Sequence, residues 1–218
     1  MARSRILPAG FFARDTVKVA PKLLDKWLVR GIGHETLIGR IVEVEAYRGK
    51  DDPASHAFRG LTQRNAPMYG DPGHAYVYFT YGNHYCLNIT TQKRGKPGAV
   101  LIRALQPIAG LTLMRFFRPN VPDAELTNGP GKLTKALAID KSLNEQKMTV
   151  KGPLYITEPE AAQTTYDIWC STRIGIRGGL DKRWRFYLKG NPYVSKRRGL
   201  LETRLWQQQR NFSLQELH

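Results

Sequence analysis

Residues 41–47 read IVEVEAY, and His56 follows Tyr47 by nine positions. Side chains alternate along a β-strand, so Glu43, Glu45 and Tyr47 share one face and Val42, Val44 and Ala46 the other. The apolar face belongs on a core. The opposite face carries two carboxylates whose Cα atoms are about 7 Å apart. Paired carboxylates can divide acid and base work in the hydrolysis of a glycosidic bond. The alternative is that both acids pair with arginines on an exposed sheet face, a common arrangement on strands.

A second aromatic cluster follows in HAYVYFTYGNHYCLNITT, residues 74–91. Tyr76, Tyr78, Tyr81 and Tyr85 fall within ten residues, with Phe79 and His84 between them. Gly82-Asn83 reads as the turn of a β-hairpin. Tyr76 and Tyr85 suit the core of a half-buried sheet. Tyr81 precedes the turn, where a ring protrudes and can act as a wedge between base pairs. Aromatic faces also stack on a base drawn out of a duplex.

Several elements must position these groups. Residues 12–30 carry Val17, Val19, Leu23, Leu24 and Leu28 at helical spacing, and Pro21 near the middle predicts a helix from there to about Val29. A strand is expected over 35–48, then a long loop rich in Gly, Pro and Asp over 49–73, of the kind that is usually functional. Further strands are expected over 98–105 and within 150–189, as VKGPLYIT, RIGI and WRFYL. Helices should begin after Pro107 and around Pro130. The tail 199–213 reads as irregular or helical. The sum is an α+β fold with a mostly antiparallel curved β-sheet, flanking helices and a protruding hairpin. It forms one domain over residues 1–218, with its core between about residues 11 and 200.

Thirty-four Lys and Arg against 18 Asp and Glu give a formal charge of +16. Such an excess repels itself, and meeting a polyanion, nucleic acid first and an anionic membrane surface second, explains it better than solubility alone. Residues 171–210 hold eleven Lys or Arg and two acids, a candidate phosphate-binding surface. No apolar run is long enough to span a bilayer, and MARSRILPAGFFARD lacks the pattern of a signal peptide. Two distant Cys form no framework and fit a reducing, intracellular compartment. Five scattered His give no metal-ligand spacing, so neither metal nor cofactor is expected. NGPGKLT, residues 128–134, fails the P-loop pattern because Leu126 stands where a Gly is needed. Lys132 and the helix start at Pro130 could still hold a DNA phosphate, or the segment could simply cap a helix.

The segments VEVEAYRGKDDPASH, YVYFTYGNHYCLNIT, VLIRALQP, NGPGKLTKALAI, RIGI and WRFYLKGNPYVS occur in that order. Together, over about residues 11–198, the set resembles the alkyladenine DNA glycosylases, also called 3-methyladenine or N-methylpurine DNA glycosylases. The resemblance implies a monofunctional base-excision-repair hydrolase that acts as a monomer on double-stranded DNA containing damaged purines. It implies that Glu45 activates water, with Arg103 and the backbone of Ile174 helping to hold that water. Tyr47, His56 and Tyr78 match the walls around the flipped base. Asn88 matches the amide that crowds the exocyclic amine of guanine, and Gly175 lies beside Ile174 in the pocket backbone. Tyr81 matches the residue that enters the duplex. Glu43 has no catalytic match and reads as structural.

The competing class is a non-catalytic binder of RNA or bent DNA that uses basic and aromatic residues without chemistry. Glu45 discriminates. A buried carboxylate repels phosphate and costs desolvation, and a pure binder gains nothing from it.

Overall fold

The computed structural model describes residues 5–80, 82–160 and 166–195, and the backbone of 202–207. Among the described residues, nine strands form one curled antiparallel sheet: β1 (Trp27–Ile32), β2 (Glu35–Tyr47), β3 (Ala75–Thr80), β4 (His84–Thr90), β5 (Ala99–Ala109), β6 (Leu154–Thr157), β7 (Asp167–Ser171), β8 (Arg185–Leu188) and β9 (Glu202–Gln207). The main order is β3-β4-β5-β2-β8-β7-β9, with β1 on β2 and β6 on β1. The described residues also form four short α-helices that complete the α+β fold: α1 (Ala9–Phe12), α2 (Thr16–Leu23), α3 (Leu111–Phe117) and α4 (Pro130–Ala136).

The thirteen-residue β2 organises the sheet. One edge pairs with β5 over most of its length. The other edge is divided: residues 35–40 pair with β1, and Glu43 to Glu45 pair with β8. The predicted alternation holds through this segment. Val42, Val44 and Ala46 join the main core with Val17, Leu23, Ile102, Leu133 and their neighbours. On the opposite face a second cluster of Ala57, Met68, Tyr76 and Ala99 packs with Tyr47 and Tyr78. The sheet therefore buries aliphatic groups on one side and gathers aromatic rings on the other.

The hairpin β3–β4 has the expected limits. Only Asn88, Ile89 and Thr90 of β4 pair with β5, so the Tyr78–Cys86 end reaches past that strand. Helix α4 supports it there: the Thr134 hydroxyl donates to the Tyr85 carbonyl, and Gly131 lies so close to His84 that a Cβ would stand 2.6 Å from its ring. Tyr81 lies outside the described residues.

Four elements differ from the sequence expectation. The helix expected from Pro21 starts earlier, at Thr16, because the Asp15 carboxylate caps the amides of Val17 and Lys18. It ends at Leu23, and Trp27 to Val29 instead pair between β2 and β6. The β-strand containing VLIRAL does not yield to a helix after Pro107. Pro107 faces Gly39 at a shift in register, a place where a strand tolerates proline, and α3 begins only after Gly110 at φ 80°. RIGI is not a strand; its residues are held by side-chain contacts described below. In the tail, residues 202–207 pair with β7 as a strand, and the rest of that stretch lies outside the described residues.

Candidate active site

Glu43 and Glu45 are both fully buried. The forked edge of β2 brings Arg185 of β8 against Glu43: its Nε donates to Oε1 at 2.7 Å. The Ser195 amide donates to the other Glu43 oxygen at 2.7 Å. Arg103, from β5, lies with Nε 3.0 Å from Glu43 Oε1 and 3.6 Å from Glu45 Oε1. Two carboxylates and two guanidiniums thus balance in one buried cluster, and this balance offsets the cost of taking charge out of water. Burial lowers the Arg103 pKa, but Glu45 and then Glu43 outweigh it and raise it above its ordinary value.

Each Glu45 oxygen has its own donor. The Ile174 amide donates to Oε1 at 2.7 Å, and the Tyr47 hydroxyl donates to Oε2 at 2.8 Å. Burial, and then the negative charge of Glu45, push the Tyr47 pKa well up, so the phenol stays a donor at neutral pH.

In front of Tyr47, Arg103 and Ile174 opens a cavity of about 330 Å³. It is also lined by His56, Tyr78, Asn88 and Gly175. All the pocket residues taken from the sequence therefore converge on one cavity, with Glu45 against its wall; only Tyr81 is outside the described residues. The His56 and Tyr78 rings meet edge to face at 4.6 Å between centroids, so together they form one wall. Tyr47 also lines the cavity. The Asn88 amide donates to the Tyr76 carbonyl at 3.1 Å, which fixes its orientation. Gly175 has φ 78°, a left-handed conformation that a side chain would strain.

Tyr76 is more than core. Its ring is buried, yet its hydroxyl lies 2.9 Å from His56 Nδ1. Burial pushes the Tyr76 pKa up to about 12, so the phenol keeps its proton at neutral pH. Burial, then the nearby Arg64, lower the His56 pKa, although the residue as a whole is exposed. A His with a depressed folded-state pKa takes its proton first in the unfolded chain. Stability is therefore lost as pH falls through the unfolded pKa towards the folded one. Urea titrations between pH 8 and pH 5 should show the parent losing more stability than His56→Gln; parallel losses would refute the shift.

Two features emerge only in three dimensions. Arg173 and Arg185 belong to the basic stretch 171–210, but both are buried in ion pairs, with Asp52 and Glu43 respectively. They cannot bind phosphate. Asp52 itself was legible only as part of a loop. Lys132 bonds to Asn128 Oδ1 at 2.8 Å and Glu125 Oε2 at 3.2 Å. Cys86 is a packed strand residue whose thiol pKa burial pushes up to about 11.

A family model described as methylpurine-DNA glycosylase matches residues 10–192. A protein of Carboxydothermus hydrogenoformans named "Putative 3-methyladenine DNA glycosylase" is 52% identical over 192 residues, 88% of this chain and 100% of the relative. Proteins with the same name from Methanoculleus marisnigri and Legionella pneumophila (strain Corby) are 48% and 46% identical, each over 88% of this chain and 99% of its own. The match runs through β2, the loop bearing His56, the hairpin and the Ile174–Gly175 turn, so this chain belongs to the methylpurine-DNA glycosylase family.

Proposed function

We propose that this protein is a monomeric base-excision DNA glycosylase that flips alkylated or deaminated purines out of duplex DNA and hydrolyses their N-glycosidic bond, leaving an abasic site. The observation that carries the reading is Glu45. It is a fully buried carboxylate that contacts three lining residues of an aromatic cavity. The cavity's size falls at the lower end of small-ligand clefts, roughly 300–1,000 Å³.

A purine drawn into the cavity stacks between Tyr47 on one side and the His56–Tyr78 wall on the other. Alkylation at N3 or N7 makes the purine cationic. Its attraction to the tyrosine faces contributes about 1–2 kcal/mol when desolvated. The cation is also a good leaving group: as the C1′–N9 bond breaks, its electron pair neutralises the ring. Glu45 accepts a proton from the water whose oxygen bonds to C1′. Each Glu45 oxygen retains a lone pair beyond its present hydrogen bond. Glu45 is covered in the DNA-free protein, so admitting that water requires a shift of Tyr47 or of the Ile174–Gly175 turn. Arg103 and the Ile174 amide, which now touch the carboxylate, hold it in place for this step. A neutral lesion such as hypoxanthine needs in addition a proton on the departing base. Asn88, pinned by Tyr76, crowds the 2-amine of guanine and disfavours the normal base. Glu43, with both oxygens held, is structural.

The direct test is release of free base from duplexes carrying 3-methyladenine, 7-methylguanine, hypoxanthine or ethenoadenine, with undamaged duplex as control. Release of none of these by the folded protein overturns the reading. The charge of +16 supports a DNA partner and makes a second expectation. Log K against log salt should fall by about 0.9 per phosphate contacted, giving a slope of several units. Affinity independent of salt would remove the polyanion partner.

A further inference from the structure

Arg173 and Asp52 form a bidentate ion pair that has no solvent exposure, with nitrogen–oxygen distances of 2.7 and 2.6 Å. An ion pair this deep is weak evidence for stability, since desolvation offsets most of its attraction. What distinguishes it is what it touches. The Arg173 guanidinium lies 4.7 Å from the Tyr47 ring centroid and donates to the carbonyl of Ala46, the residue before Tyr47. Asp52 accepts from the amides of Arg48 and Ala54, and its carbonyl accepts from Ser55, which precedes His56. Arg173 is bonded in sequence to Ile174, whose amide holds Glu45. Gly179 closes over the pair so tightly that a Cβ on it would stand 3.0 Å from the guanidinium and 3.5 Å from the Asp52 carboxylate.

We propose that the Arg173–Asp52 pair is a positioning device that fixes the Tyr47 wall, the His56 loop and the amide on Glu45 in one geometry. One rigid fork thus joins the three segments that surround the cavity. The planar guanidinium suits such a junction, because it faces a ring while bonding a carboxylate and a carbonyl in its own plane. Neither residue touches the substrate. The proposal rests on the glycosylase reading for its effect on rate, but its effect on geometry can be read without DNA.

The variant to make is Asp52→Asn combined with Arg173→Met. It leaves no unpaired buried charge, and Asn keeps an acceptor for one of the two loop amides. Three properties are compared with the parent: thermal unfolding, affinity for undamaged duplex, and single-turnover excision of ethenoadenine at saturating protein. A fourth is hydrogen exchange of the Ile174 amide in DNA-free protein. The expected result is an unfolding midpoint and duplex affinity close to the parent's. Excision should be about tenfold slower or worse, as small misplacements of reacting groups give, with faster Ile174 exchange. A folded variant with parental excision and parental exchange overturns the proposal. A merely structural role would lower the midpoint and leave the rate of the folded protein unchanged. If the parent itself releases no base, the glycosylase reading fails, and Ile174 exchange alone then decides the positioning role. Should the double variant not fold, Arg173→Lys, which keeps the buried charge but loses the fork, carries the same measurements.

Discussion

Glu45→Gln is expected to lower single-turnover excision by at least about 100-fold while the protein remains folded and bound to duplex. Glutamine has the same size. Its oxygen can still accept from the Ile174 amide, and its amino group can donate to the Tyr47 hydroxyl oxygen, reversing that bond. What disappears is the only group at that position able to take a proton from water. The buried cluster changes from two carboxylates and two guanidiniums to one and two. The loss is moderated because Arg103 keeps Glu43 at 3.0 Å and approaches the cavity. Affinity for duplex should persist or rise, since a negative charge near phosphates has gone. The decisive measurement is excision from a hypoxanthine or ethenoadenine duplex, with binding to the same DNA. A rate equal to the parent's would remove Glu45 from the chemistry.

Glu43→Gln, two residues away on the same strand face, should behave in the opposite way and mainly destabilise the fold. Both Glu43 oxygens are occupied, by Arg185 and by the Ser195 amide, and the side chain is fully buried. Removing its charge leaves Arg185 without a carboxylate partner in the sheet interior. Breaking a buried pair in this way costs about 3–5 kcal/mol. For a chain of this size that corresponds to a fall in unfolding midpoint on the order of 10 °C. The fraction still folded should excise at close to the parental rate, because Glu45 and its donors are intact. An unchanged midpoint combined with lost excision would exchange the roles assigned to the two acids.

Much of this site was written in local pattern. The alternation in IVEVEAY placed Glu43, Glu45 and Tyr47 opposite an apolar face, and the core packing of Val42, Val44 and Ala46 follows it. The hairpin and the start of α4 were also legible, because turn residues and a proline at a first helical turn act over a few residues. The capping Asp15 was in plain view but lost to Pro21 as the apparent helix start. Pro107 misled for a related reason: a proline ends a strand only where its missing amide is needed, and the register shift opposite Gly39 removes that need.

The roles of the charged residues were a different matter. Sequence determined that two carboxylates share a strand face in a chain of charge +16. It could not say that Arg185 reaches one of them across 142 positions, or that Arg173 reaches Asp52 across 121. Nor could it separate arginines that balance buried acids from those available to phosphate within the same basic stretch. Periodicity and turn chemistry are local, so the chain states them outright. The pairing of buried charges depends on which strands become neighbours, and here the division of the β2 edge between β1 and β8 decided it.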